Sequence, residues 1–240
     1  TDARRMYNTA NFYIRNTMTG IKKSPELRTP NEVEVLHDVF TGIQKANKAR
    51  NIKYQKDLEK YNKGLSEKQP KEPKYFPYPT TKEWFLTYNV LDAVFKYTHN
   101  EVYYSMNSQL NQNAIRKAAA AWKGYFKTLK DYRKNPSKYK ERPNMPGYLK
   151  NPQYVAWFSN QTAKYSVEKD GRAYLRFVHN ETLFCIGKAS LYTGLRYVKT
   201  EIKPQHGCYL ILVTFDDGEE LPKAPEKPKR IIGIDPGVDN

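Results

Sequence analysis

Lys123, Lys127, Lys130 and Lys134 are separated by 4, 3 and 4 residues, which lines four ammonium groups along one face of a helix. Around them, residues 116 to 150 hold eleven cations (Arg116, Lys117, Lys123, Lys127, Lys130, Arg133, Lys134, Lys138, Lys140, Arg142 and Lys150) against Asp131 and Glu141, a local net of +9. Tyr125, Tyr132, Tyr139 and Tyr148 add aromatic planes nearby. Cations tracking phosphates, with rings to stack on bases or sugars, is the chemistry this pattern serves. An ordinary solvated face would carry the same residue types, but so dense a patch repels itself unless an anion neutralises it.

Just upstream, Asn107, Gln109, Asn111, Gln112 and Asn113 crowd the expected first turns of that helix. Side-chain amides pair a donor with an acceptor and so can read adenine in a major groove, and Arg116 follows them. Capping and local solvation are the competing use of amides at a helix start. At the far end, Ile231-Ile232-Gly233-Ile234-Asp235-Pro236-Gly237 reads as a buried strand delivering one carboxylate between small neighbours. A metal-dependent nuclease needs such a carboxylate, with glycines that let metal and phosphate approach. It needs several converging acids, however, and Asp235 alone is equally a strand-to-turn residue.

The whole composition agrees with a polyanionic partner: 41 Lys+Arg against 25 Asp+Glu give a net charge of +16, with pI ≈ 9.6. No apolar run approaches the roughly 18 residues of a spanning helix, and mean hydropathy is -0.85, so membranes are set aside. The opening Thr-Asp-Ala-Arg-Arg-Met-Tyr lacks the pattern of a secretory signal, which makes a cytoplasmic protein the expectation. Cys185 and Cys208, without a Cys-x-x-Cys pair, read as core thiols, and the four histidines have no ligand spacing.

The elements that must position these groups fall into two textures. Up to Tyr148, apolar residues recur at helical spacing: Tyr7 to Met18, Val33 to Ile43, then Trp84 to Phe95 within a helix over 82–96, and a long helix from Ser108 to Tyr132. Asn31 with Glu34 has the form of a capping box, and Arg133-Lys134-Asn135-Pro136 that of a helix end. Lys45 to Lys74 is a basic helix followed by a loop, and four prolines make 69–80 an extended connector. Beyond Pro152 the chain turns to five short β-runs, at 154–158, 173–178, 182–186, 195–202 and 208–215, with turns at Lys169-Asp170-Gly171 and His179-Asn180. The expected fold is α+β: a helical domain over 1–148, a small barrel or partly open antiparallel sheet over 149–217, a linker over 218–230, and the start of a further domain over 231–240.

Four stretches, in this order, resemble the TnpB/OrfB family of transposon-associated, RNA-guided DNA endonucleases, relatives of type V CRISPR effectors. They are Tyr7-Asn8-Thr9-Ala10-Asn11-Phe12-Tyr13-Ile14-Arg15; Ser108-Gln109 through Trp122-Lys123-Gly124-Tyr125-Phe126; Phe158-Ser159-Asn160-Gln161; and Gly233-Ile234-Asp235-Pro236-Gly237-Val238-Asp239-Asn240. The resemblance implies a helical recognition (REC) domain, a wedge (WED) β-barrel and the first strand of a ribonuclease H-like RuvC domain, with a transposon-derived guide RNA and double-stranded target DNA as partners. It also implies Mg²⁺ at Asp235 in the intact nuclease, and it places target-adjacent reading at Gln109, Gln112, Ser159 and Asn160. Together with the patch, the expected nucleic-acid contacts are Gln109, Gln112, Asn113, Arg116, Lys123, Lys127, Lys130, Arg133, Lys134, Tyr139, Arg142, Ser159 and Asn160. Two departures stand against the family pattern: its usual first strand precedes nothing here, and the second and third RuvC acids and the zinc ribbon, where any zinc would sit, are absent from this sequence. The Lys45–Lys74 stretch matches no part of it. Two other readings remain open, a nuclease-dead RNA-guided repressor and a guide-independent basic DNA-binding module.

Overall fold

The computed structural model describes residues 2–106, 108–150, 154–178 and 181–220; Asn107, the His179-Asn180 turn, most of the proline-rich linker and the whole segment carrying Asp235 lie outside them. The chain is α+β, with helices first and two small antiparallel sheets after. The helices are α1 (Asp2–Gly20), α2 (Pro30–Asn62), α3 (Tyr88–Tyr97), α4 (Glu101–Tyr104) and α5 (Ser108–Lys134). The strands are β1 (Ala156–Ser159), β2 (Ala163–Val167), β3 (Arg172–Phe177), β4 (Leu183–Lys188), β5 (Arg196–Gln205) and β6 (Cys208–Asp216).

The helical stripes converge on one core, in which Met6, Ile14, Ile43, Leu91, Phe95, Ile115 and Trp122 are buried. Gly42 lets α2 approach α3 closely, since a Cβ there would stand 2.8 Å from the Val94 Cα. Helix α2 starts earlier than Asn31 suggests: Pro30 is its first residue, and the capping box is Thr29 with Glu32. Proline's fixed φ and missing N–H suit that first position, so the cap falls one residue before it. At 33 residues α2 is also longer than the 27-residue α5, which the sequence presents as the longest helix.

Glu32 joins α1 to this cap. The residue is 3 % exposed, and its carboxylate accepts from the Thr29 backbone N–H at 2.8 Å and pairs with Lys23 Nζ at 2.8 Å. Burial alone raises its pKa, but hydrogen bonds from Lys23, Thr19 and Thr29, with the Lys23 charge, hold it at about 2. A depressed carboxylate contributes stability above its unfolded pKa, and that contribution is lost as pH falls toward the folded value. The chain is therefore expected to lose about 1–3 kcal/mol between roughly pH 4.5 and 2 through this group. Urea midpoints across that window should fall less steeply for Glu32→Gln than for the parent, and parallel curves would remove Glu32 from the account.

The helix expected over 82–96 begins only at Tyr88. Residues 84–87 before it are non-helical, and Trp84 and Phe85 both meet the Phe126 ring in T-shaped contacts at 5.5 Å.

Six strands form instead of five, as two three-stranded sheets ordered β1-β5-β6 and β2-β3-β4, and the described residues contain no closed barrel. The added strand is β2, paired to β3 across a turn in which Gly171 takes φ +72. A sequence of Ala-Lys-Tyr-Ser-Val lacks the apolar density of its neighbours, and pairing supplies what propensity does not. Strand β5 runs through Pro204 because β1 stops opposite Ile202, leaving no partner on that side for the missing N–H. Rings sew the sheets together: Phe158 to Phe177 at 4.7 Å, Tyr165 to Phe215 at 5.4 Å and Tyr165 to Tyr197 at 6.2 Å. Both cysteines are exposed rather than core thiols, Cys185 on the edge strand β4 and Cys208 directly after the His206-Gly207 turn.

Candidate nucleic-acid interface

Helix α5 is anchored along one side by Ile115, Ala118, Trp122 and Leu129, all buried. Gln109, Gln112, Arg116, Lys123, Lys127, Lys130 and Lys134 recur at steps of 3, 4, 7, 4, 3 and 4, which places them on another stripe of the same helix. The span from Gln109 to Lys134 is 25 residues, roughly 37 Å at about 1.5 Å per residue and close to one turn of duplex. Lys123, Lys127, Lys130, Arg133 and Lys134 are exposed, and none makes a hydrogen bond or ion pair among the described residues. Asp131, the one acid of α5, accepts from Tyr139 Oη at 2.5 Å, Lys138 Nζ at 3.1 Å and Asn135 Nδ2 at 3.3 Å. Those bonds, Tyr139 first, hold its carboxyl below the usual range and raise the Tyr139 hydroxyl. The acid is thereby neutralised locally and leaves the lysines their field.

The amide end is a joint. Gln109 Nε2 donates to Ser159 Oγ at 3.0 Å, and Asn113 Nδ2 donates to the Trp157 carbonyl at 3.3 Å. Two residues singled out fifty positions apart thus meet where α5 abuts β1, with Asn160 exposed in the following turn. Gln112 is half-buried beside the Tyr103 hydroxyl, which donates to Asp92 at 2.9 Å. Asn111 is fully buried and donates to the Tyr103 and Met106 carbonyls, so this amide serves the core. Arg116 lies 4.6 Å over the Tyr88 ring and donates to its hydroxyl at 3.3 Å, which leaves it exposed but fixed in direction. Arg142 is exposed beyond the helix end.

A further set of residues holds the interface in place. Arg4, Asn8, Asn11 and Arg15, on one stripe of α1, all donate to carbonyls of residues 146–150, the extended end of the basic segment. Asn11 is fully buried; its Nδ2 donates to the Pro146 and Gly147 carbonyls at 3.2 and 2.9 Å, while its Oδ1 accepts from Trp122 Nε1 at 2.8 Å. Arg15 also lies 5.3 Å over the Tyr148 ring. The signal was in the sequence as Arg and Asn residues at 4, 8, 11 and 15, whose steps of 4, 3 and 4 put them on one face of the helix. Lys117 was likewise not among the expected contacts; it sits 4.8 Å over the Tyr154 ring, and burial lowers its pKa despite Glu201 nearby.

No three His, Cys, Asp or Glu side chains converge as a metal site among the described residues, and Asp235 is not one of those residues. No described helix is long and apolar enough to cross a membrane. Geometry and charge together define a class: an α+β chain whose longest unpaired feature is a rigid basic helical face, jointed through an amide-hydroxyl contact to a pair of small sheets. No protein-family model matches the chain, and no curated protein matches it.

Proposed function

We propose that this chain binds nucleic acid along the α5 stripe as the guide-binding and target-binding part of a TnpB-like, RNA-guided DNA nuclease. The observation that carries the reading is the row of four exposed lysines without protein partners on a helix whose opposite side is locked into the core. Such a row repels itself until phosphates occupy it, and it lies end to end with amides at the joint to β1. The helices up to Tyr148 take the part of the recognition domain and the two sheets that of the wedge domain. Cleavage belongs to the intact protein, in which Asp235 is one of several carboxylates for Mg²⁺; the ion would polarise a DNA phosphodiester and activate water.

The test is to sequence the RNA that copurifies with the chain and compare binding of a duplex complementary to it with binding of a scrambled duplex. Preference for the complementary duplex, lost after ribonuclease, is the expected result. Equal binding of both, with or without RNA, would overturn the guide reading in favour of a guide-independent basic module.

Target-adjacent reading is assigned to Gln109, Gln112 and Asn160. A good base contact is worth about 1–3 kcal/mol of discrimination, so Asn160→Ala should flatten the preference in a library randomised beside the target while total affinity changes little. An unaltered preference would remove Asn160 from base reading.

A further inference from the structure

Helix α2 outruns its own core. Its last buried residue is Ala46, yet it continues to Asn62, a projection of about 24 Å. An isolated polar helix of that length is marginal in water, and the returning chain supports it. Asn47 bonds both the amide and the carbonyl of Phe76, at 2.8 and 2.9 Å. The Asn51 Oδ1 accepts from Tyr75 Oη at 3.2 Å, and the Arg50 guanidinium stacks 3.7 Å from the Phe76 ring centre while donating to the Lys74 carbonyl. The product is an arm, one helix with an extended strap along it.

From Gln44 to Lys74 this arm holds nine lysines and one arginine against four acids. The arginine and the amides Asn47 and Asn51 are occupied by the strap. Lys53, Lys56, Lys60 and Lys63, at steps of 3, 4 and 3, remain exposed without hydrogen bonds or ion pairs among the described residues, with Tyr61 exposed beside them. Free lysines are point charges that follow phosphates without reading bases.

We infer that the α2 arm is a second nucleic-acid surface, which docks the backbone of an RNA duplex. Shape selects the partner. A bare helix about 10–12 Å across fits the roughly 12 Å major groove of B-form DNA, whereas a helix with a strap on its flank is too wide. The minor groove of A-form RNA is wide and shallow and displays 2′-hydroxyls, which suit a row of lysines along one face with a tyrosine hydroxyl beside it. This surface lies on a different helix from the α5 stripe, and its argument does not depend on the guide reading.

The test uses the whole chain, a 16-base-pair RNA duplex and a DNA duplex of the same sequence, with polyglutamate as competitor; about 16 base pairs is the length known double-stranded-RNA modules span. Lys53→Ala/Lys56→Ala/Lys60→Ala/Lys63→Ala should lower RNA-duplex affinity at least thirtyfold at 0.1 M salt, reduce the salt slope by about two to four, and cost the DNA duplex at least tenfold less. The matching four Lys→Arg changes should retain RNA binding, which separates loss of charge from loss of fold. Unchanged RNA affinity in the alanine variant overturns the proposal, and so does an equal loss for RNA and DNA. Displacement of the RNA by polyglutamate at matched charge overturns it in favour of an acidic protein partner. A Lys123→Ala/Lys127→Ala/Lys130→Ala chain assayed alongside reports the α5 face, so failure of either surface is read independently of the other.

Discussion

Replacing Lys123, Lys127 and Lys130 together with alanine is expected to lower affinity for duplex DNA about a hundredfold at 0.1 M salt and to reduce the salt slope by about two to three. Each phosphate contact releases condensed counterions, so three lost contacts appear in the slope as well as in the affinity. All three lysines are exposed and without protein partners, so their loss removes no bond from the fold. Alanine is also the best helix former, which keeps α5 intact. Titrations between 50 and 300 mM salt measure both quantities on one preparation. A lowered affinity with an unchanged slope would mean that the variant is damaged elsewhere, and no change in either would take α5 out of the interface.

Asn11→Ala is expected to destabilise the chain by about 1–3 kcal/mol, because it strands the buried Trp122 N–H and releases the part-buried chain at residues 146–147. Trp122 Nε1 loses its acceptor and the Gly147 carbonyl its donor, while the Pro146 carbonyl keeps only Arg15, in a site where Asn11 and Trp122 are both 0 % exposed. Trp122→Phe should recover part of that loss when combined with Asn11→Ala, since the orphaned donor disappears with its partner. Asn8→Ala removes only solvent-accessible bonds to Leu149 and should cost less than about 1 kcal/mol. Urea unfolding of the four chains decides it. A midpoint for Asn11→Ala within error of the parent would show that residues 146–150 are held by something other than α1.

Both outcomes turn on α5, and the sequence exposed the two halves of that helix unequally. The lysine row was legible because a period of 3.6 residues converts spacing into direction without reference to the rest of the chain. The apolar partners of that row, from Ile115 to Leu129, follow from the same period, as does the helix end before Pro136. Local rules also located the Lys169-Asp170-Gly171 turn and most of the strand positions around it.

Whatever depended on a partner distant in sequence was not legible. The amides before Arg116 looked interchangeable, yet Asn111 is buried against the carbonyls of residues 103 and 106 while Gln109 reaches Ser159. Nothing in their order separates them; the placement of β1 does. Trp84 and Phe85 fit a helical pattern, yet they lie before the helix with both rings against Phe126. Strand β2 exists through its pairing with β3, and the two sheets meet through T-shaped ring contacts rather than through strand pairing. The sequence by itself determined the charge, the helical stripes and the order of helices before strands, because these depend on composition and on neighbours within a few residues. Only the tertiary structure decided that Asn11 locks residues 146–147 to Trp122 and that Gln109 meets Ser159, because a buried polar group is specified by whichever partner satisfies it, at any distance along the chain.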